Sequence, residues 1–260
     1  MNRIEELFSG DRKNILSIYF TAGFPKLDDT NEILAALLKN GAGMIEIGMP
    51  YSDPLADGPV IQQSSMKALE NGMTIGTLFQ QLSTLPGGSE RKVPFILMGY
   101  LNPVIQYGLE KFCEHARNAG VDGLIIPDLP LDVYEKEYKS VFDKYDLRIA
   151  FLVTPQTPDE RIRKIDVLSN AFIYVVSSYS ITGGNTNIDA QQAYFDRLQK
   201  MGLKNKLMIG FGIRDQHSFH TACRHAAGAI IGTAYIQALE KGGSPADVTK
   251  RFLNSILMPA

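Results

Sequence analysis

The sequence predicts an α/β chain in which eight strand–helix units close into a parallel barrel. Three observations lead there. Eight short apolar runs recur along the chain, amphipathic helical stretches fill the gaps, and the whole occupies 260 residues, close to the ~250 that such a barrel needs. The runs are Ile15–Thr21, Met44–Gly48, Phe95–Gly99, Gly123–Pro127, Arg148–Val153, Phe172–Ser177, Leu207–Gly210 and Ala229–Ile231. They are short and often β-branched, as suits strands buried on both faces. Helix starts are read from cap patterns. Asp29 with Glu32 resembles a capping box, and Gly41 ends that helix. Thr157-Pro158-Asp159-Glu160 supplies an N-cap, a Pro at N1 and a Glu at N3. Asp132 with Glu135, and Asp189 with Gln192, repeat the box, and Ser244-Pro245 opens the last helix.

The competing architecture is an open, doubly wound sheet, which usually has fewer strands and a Gly-rich fingerprint after the first. Here the first strand leads into Thr21-Ala22-Gly23-Phe24-Pro25, which carries no such fingerprint. No Gly-, Ser- or Pro-rich linker divides the chain, and the Pro-Gly-Gly-Ser at 86 to 89 reads as a surface turn. The expectation is one catalytic domain over residues 1–260, a (β/α)8 TIM barrel with an extra N-terminal helix.

Composition narrows the function. The chain is 45% hydrophobic and 21% charged, ordinary for a globular protein, with a net charge of -2. Nothing in that balance points to nucleic acid or an anionic membrane surface. No apolar run approaches the ~18 residues that span a bilayer, and Met1 to Glu6 carry no signal-peptide core. Cys113 and Cys223 form no ligand or redox motif, so a reduced, cytoplasmic setting is expected.

Residues 46 to 59 hold the densest chemistry. In the second strand Met44, Glu46 and Gly48 share one face, and Ile45 and Ile47 the other. Glu46 therefore stands mid-strand, where an apolar residue is expected, and a buried carboxylate is paired or functional. The bland alternative is a structural Glu bound to a barrel Lys or Arg, but none occupies an evident inward position nearby. Asp57 rides on the loop that follows. By itself an Asp-Gly is merely a turn; its place beyond a strand's C-terminal end, where barrel active sites lie, makes it a partner for Glu46 in acid/base chemistry.

Glycines mark a second constellation. Gly210-Phe211-Gly212-Ile213 follows the seventh strand, and Gly228 to Ala234 spans the eighth and opens a helix. Tight strand-to-helix turns would explain either one. Both together, after strands seven and eight, fit a phosphate site built from backbone N–H groups and a helix N-terminus, which Thr182-Gly183-Gly184 would close. Tyr19, Leu97, Tyr174 and Phe211 are read as inward-facing near strand ends. Core packing explains any one of them; together with a phosphate end and a carboxylate end they fit a flat, partly aromatic ligand. His217, His220, Cys223 and His225 do not match metal-ligand spacing, and no metal is expected. No Ser-His-Asp or Cys-His arrangement stands out, and no Lys is placed for Schiff-base chemistry.

The run Glu46 to Pro59 closely resembles the signature of the tryptophan synthase alpha chain family. The resemblance continues through Phe20 to Pro25, Leu97 to Pro103, Ile126 to Pro130, Thr182-Gly183, Gly210 to Ile213 and Gly232 to Ala234. It implies a TIM barrel that cleaves indole-3-glycerol phosphate to indole and glyceraldehyde 3-phosphate, with no cofactor of its own. It also implies a pyridoxal-phosphate beta chain as partner in an α2β2 complex. By position, Glu46 resembles the family's general acid/base and Asp57 the partner of the indole N–H. Thr182, Gly183, Gly212, Gly232 and Thr233 fall at its phosphate end, and Tyr19, Leu97, Tyr174 and Phe211 around its indole pocket. Pro50, Ser52, Asp53, Pro54, Asn102 and Pro103 resemble its beta-chain contacts. One departure stands out: where the family commonly shows Ser-Arg-Ser-Gly, this chain has Ser177-Ser178-Tyr179-Ser180.

Three other readings compete. A phosphate-binding sugar epimerase or isomerase explains the glycines, but not the loop at 49 to 59. A subunit that mainly activates its partner does not need both Glu46 and Asp57. A free-standing lyase that releases indole has the same active-site residues.

Overall fold

The structure is a computed structural model, and it describes residues 1–85, 91–177 and 191–258. Eight parallel strands pair in chain order into a closed barrel: β1 Ile15–Thr21, β2 Met44–Gly48, β3 Phe95–Met98, β4 Gly123–Ile125, β5 Arg148–Val153, β6 Ile173–Val176, β7 Leu207–Gly210 and β8 Gly228–Ile231. Closure comes from β1 pairing with β8, Ile15 opposite Gly228 and Ile18 opposite Ile231. Nearly every strand residue is buried, because one face fills the barrel and the other meets the helices. Among the described residues no helix is long and apolar enough to cross a membrane.

All eight expected strands are present. Four run a residue or two differently. β3 and β4 stop before Gly99 and Pro127, β6 is trimmed at both ends, and β8 starts at Gly228. The extra N-terminal helix is α1, Arg3–Phe8.

The helix starts depart further from expectation. Helix α2, Asp29–Lys39, has Asp28 at its N-cap and no side-chain cap bond. Asp29 instead accepts from the Lys26 N–H at 3.2 Å. Glu32 accepts from the Ser244 hydroxyl and the Ala246 N–H, both at 3.1 Å, and so ties α2 to the start of the last helix. Gly41 does follow that helix, at φ +97°. At 157 to 160 the N-cap is Pro158, because Thr157 is engaged with the Thr154 N–H at 2.9 Å. Asp132 is drawn to Lys164 of a neighbouring helix, and its own helix starts at Leu131 after Pro130. Ser244-Pro245 opens the last helix, Pro245–Leu257, with Pro at N1 as expected. Asp189 and the turn at 86 to 89 lie outside the described residues.

The N-terminal end of the barrel is sealed by α1. Asn2 caps that helix through the Ile4 N–H at 3.0 Å, and its amide donates to the carbonyls of Asp122 and Asp146 at 3.0 and 2.9 Å. Ile4 is fully buried, and a Cβ at Gly123 would lie 2.7 Å from its Cδ1, so only glycine leaves it room. Asp122, also fully buried, binds Arg3 at 2.7 Å and Arg91 at 3.3 Å, and accepts the Phe95 N–H at 2.9 Å. The seal leaves the opposite end, where the strands' carboxyl ends emerge, for chemistry.

Removing one partner of a buried ion pair leaves the other charge uncompensated. Asp122→Ala strands Arg91, whose side chain is 6% exposed, and frees the Phe95 N–H. It should cost about 3–5 kcal/mol of unfolding free energy, read by urea denaturation. Removing Lys144, which pairs with Glu110 in solvent, should leave the urea midpoint nearly unchanged.

Candidate active site

Tyr19 pairs with Glu46 and Glu46 with Ile96; Thr21 pairs with Gly48 and Gly48 with Met98. Residues paired across parallel strands share a face. Burial acts on Tyr19 and Tyr174 together with the charges of Glu46 and Asp57, and Tyr174 stands on β6, well around the barrel from β2. This face is therefore the interior, where Glu46 and the two tyrosines lie, with Asp57 close enough to act on the same tyrosines.

Small residues make the room. A Cβ at Gly48 would sit 2.2 Å from the Tyr19 hydroxyl, and one at Gly232 would sit 3.2 Å from its ring. At Gly210 it would sit 2.2 Å from the Tyr174 hydroxyl. Each tyrosine lies in a slot that exists because the neighbouring strand end lacks a side chain. Phe211 packs edge-on against Tyr174, ring centres 6.1 Å apart. It is held at φ +67°, beside Gly212 at +75°. A left-handed Phe is strained, and such strain gathers at functional sites; here the Ser177 hydroxyl bonds to its carbonyl.

Glu46 is fully buried mid-β2. Its Oε1 accepts the Ser17 hydroxyl at 2.9 Å, and Oε2 is buried with no hydrogen-bond partner among the described residues. Burial pushes its pKa from 4.5 up to about 8, opposed in part by the Ser17 bond. The carboxyl is thus a protonated acid near neutral pH, with one oxygen free.

Asp57, on the loop between β2 and helix α3 (Pro59–Glu70), is 5% exposed. Its Oδ2 accepts the Tyr100 hydroxyl at 2.9 Å, and that hydroxyl accepts the Ala56 N–H at 2.9 Å. The Asp57 N–H bonds to the Pro54 carbonyl at 3.0 Å and its carbonyl accepts Gln62 at 2.9 Å. Burial raises its pKa to about 6, with the Tyr100 bond opposing.

Of the other expected residues, Tyr19 and Tyr174 are buried in the cavity wall, and Phe211 is half-buried beside them. Gly212 and Thr233 are exposed at the mouth, and Gly232 caps helix α4, Thr233–Glu240, whose N-terminus carries positive potential. Thr182, Gly183 and the departure at 178 to 180 lie outside the described residues. Leu97 differs from expectation. It pairs with Ile47 and so takes the face turned to the helices, and Met98 is the β3 residue on the cavity face. A shift of one residue reverses a strand side chain.

On the rim, Ser52, Asp53 and Asn102 are exposed and Pro50 and Pro103 half-buried, while Pro54 is buried. Leu55 at 82% and Ile105 at 50% exposure are apolar side chains on this rim that sequence reading passed over. It also passed over the contacts of Tyr100 and Ser17. Away from the mouth, His225 stacks on Phe195 and His220 lies against Phe219. Cys113 and Cys223 are buried, their thiols pushed up to about 12 by burial.

A family model described as tryptophan synthase alpha chain matches residues 7–256. The tryptophan synthase alpha chain of Flavobacterium johnsoniae is 54% identical over 94% of this chain and 96% of its own. Among solved structures, tryptophan synthase subunit alpha of Legionella pneumophila superposes with a TM-score of 0.88 at 32% identity, covering 98% of this chain and 97% of its own. A chain from the tryptophan synthase complex of Pyrococcus furiosus gives 0.83 at 31% identity, covering 95% and 98%.

The raised pKa of Glu46 has a stability signature. The native state holds this proton between pH 4.5, the ordinary value, and about 8, and the unfolded chain does not. Its contribution is therefore fully present below the ordinary value and lost as pH rises through the native one. Glu46→Gln removes the dependence. The unfolding free energy of the wild type minus that of the variant should fall steadily between about pH 5 and pH 8, measured by urea titration. A flat difference would mean that Glu46 is not a buried acid.

Proposed function

The chain belongs to the tryptophan synthase alpha chain family, and from that premise we propose how its own residues carry out the family's reaction. It is a carbon–carbon lyase of tryptophan biosynthesis that cleaves indole-3-glycerol phosphate to indole and glyceraldehyde 3-phosphate. One observation carries the assignment of roles: Glu46, fully buried beside Tyr19 on the inward face with Oε2 unpartnered among the described residues, is followed by a buried, loop-borne Asp57 beyond the end of the same strand.

The reaction is a retro-aldol cleavage. Indole leaves only after its C3 is protonated, which interrupts the aromatic ring and places positive charge at the ring nitrogen. Glu46 gives that proton from Oε2. The Asp57 carboxylate accepts the indole N–H and stabilises the charge as it develops. As the bond between C3 and the glycerol carbon breaks, the hydroxyl on that carbon loses its proton to Glu46 and becomes the aldehyde. Glu46 ends as it began, and no cofactor is needed. A pKa near the working pH serves a group that must act as acid and then as base.

Tyr19, Tyr174 and Phe211 flank the indole ring, with Met98 in place of Leu97. The phosphate sits at Gly212, Gly232 and Thr233, near the N-terminus of α4, and the family resemblance adds Thr182 and Gly183. Pro50, Ser52, Asp53, Asn102 and Pro103 face a pyridoxal-phosphate beta chain in an α2β2 assembly, in the cytoplasm, and residues 1–260 act as one domain. The exposed Leu55 and Ile105 support this reading, since an apolar rim is suited to contact, as does the name of the Pyrococcus relative, a tryptophan synthase complex.

Glu46→Gln should abolish indole release while the protein stays folded, and full activity in this variant at neutral pH would sink the assignment. Asp57→Asn should lower kcat by about a hundredfold or more, and a change confined to KM would reject the charge-stabilising role. A bulky side chain at Gly212 should raise KM for the phosphorylated substrate, yet barely alter indole binding by calorimetry. Adding a beta chain should stimulate the rate strongly, and replacing Leu55 with Asp should reduce that stimulation without changing the basal rate.

A further inference from the structure

Glu46 does not hold its orientation alone. Ser17 pairs with Met44 in the β1–β2 register and Tyr19 pairs with Glu46, so Ser17 lies on the same inward face as Glu46, one step nearer the sealed end. Both side chains are fully buried. The Ser17 hydroxyl donates to Oε1 at 2.9 Å, and Oε2 has no partner among the described residues. One carboxyl oxygen is held by a side chain from the closed-end side and the other is not held. Among the described residues, the titratable groups near Glu46 are Tyr19 from β1 and Tyr174 from β6; Asp57, from the loop after β2, acts on the same two tyrosines, with Tyr100 bonded to it. None of them donates to Oε1, so Ser17 is the contact that distinguishes the two oxygens.

We infer that Ser17 is a positioning residue for proton transfer: by holding Oε1 it sets the plane of the Glu46 carboxyl and leaves Oε2 as the atom that gives and takes the proton. This rests on the lyase reading, with Glu46 as its acid and base. The hydroxyl also supports the charged form of the carboxyl, because a donated hydrogen bond favours the carboxylate. Without it Glu46 would be freer to turn, and its proton would be held more tightly when indole C3 must receive it.

The test compares the wild type, Ser17→Ala and Ser17→Thr, each with its beta chain. Thermal unfolding establishes that each is folded. Ser17→Ala should lower kcat about fivefold, the equivalent of one hydrogen bond, with KM for indole-3-glycerol phosphate unchanged. Ser17→Thr, which keeps the hydroxyl, should stay near wild type. A second readout needs no turnover. With 13C-labelled glutamate, the Glu46 carboxyl resonance, identified by its loss in Glu46→Gln, should titrate about 0.5–1 pH unit higher in Ser17→Ala. An unmoved midpoint, or kcat and KM worsening together as a packing defect would cause, overturns the role of Ser17 even in an active lyase. An inactive wild-type complex overturns the lyase reading, whatever the midpoint does.

Discussion

A carboxyl group inside a closed barrel, with no cation beside it among the described residues, sets the terms for the rest of this structure. Burial and one serine bond are the influences that act on Glu46. An acid in that position rests in its neutral form and becomes charged only when a substrate supplies the electrostatic reward. The surroundings keep it so. Aromatic walls exclude water, and the second carboxyl stands on a loop, not on a strand. Had an arginine been placed beside Glu46, as Arg91 and Arg3 are beside Asp122, the proton would be gone before the substrate arrived. The barrel thus uses the same side-chain type in two ways. At the sealed end a carboxylate is paired with two arginines; toward the open end a carboxyl has a serine bond and, among the described residues, no cation beside it.

Glycine placement follows from the same need. Gly48, Gly210 and Gly232 are not merely turn residues: they are the slots into which Tyr19 and Tyr174 fit. Filling the interior with two large rings, without pushing the strands apart, requires absent side chains opposite them. Tyr100 extends the arrangement outward. Its hydroxyl holds both the Ala56 N–H and the Asp57 carboxylate, and its ring lies 5.4 Å from that of Tyr51. Tyr51 in turn meets Asn102 at 3.3 Å on the rim. The loop carrying Asp57 is therefore joined through contacts to the surface where a partner is expected.

Most of the barrel could be read from the sequence because a strand buried on both faces is an unbroken apolar run, and eight of them leave few alternatives. Glu46 was legible for the complementary reason: it interrupts such a run. What escaped was whatever depends on registry or on distant partners. The inward face of β3 turns on a single residue, and a continuous apolar run does not say which of Leu97 and Met98 points in. Cap patterns misled where a tertiary partner took the side chain first, as the last helix took Glu32 and Lys164 took Asp132. Ser17 belongs to no motif, and Tyr100 lies in a family-like stretch that does not reveal its bond to Asp57; their contacts exist only once β1, β2 and β3 stand side by side.

The seam of the barrel bears on when an active molecule can exist. Asn2 bonds to carbonyls 120 and 144 positions along the chain, and β1 meets β8 only after all the intervening strands are made. Such contacts must meet the loop-closure entropy before they contribute stability. Gly228 makes the closing stitch, with room for no Cβ because one would lie 2.0 Å from the Ile15 carbonyl. Until that stitch is in place, a nascent chain presents open sheet edges, and Glu46 stands in water as an ordinary ionised carboxylate. The raised pKa of Glu46 belongs to the finished circle, because the burial that causes it does.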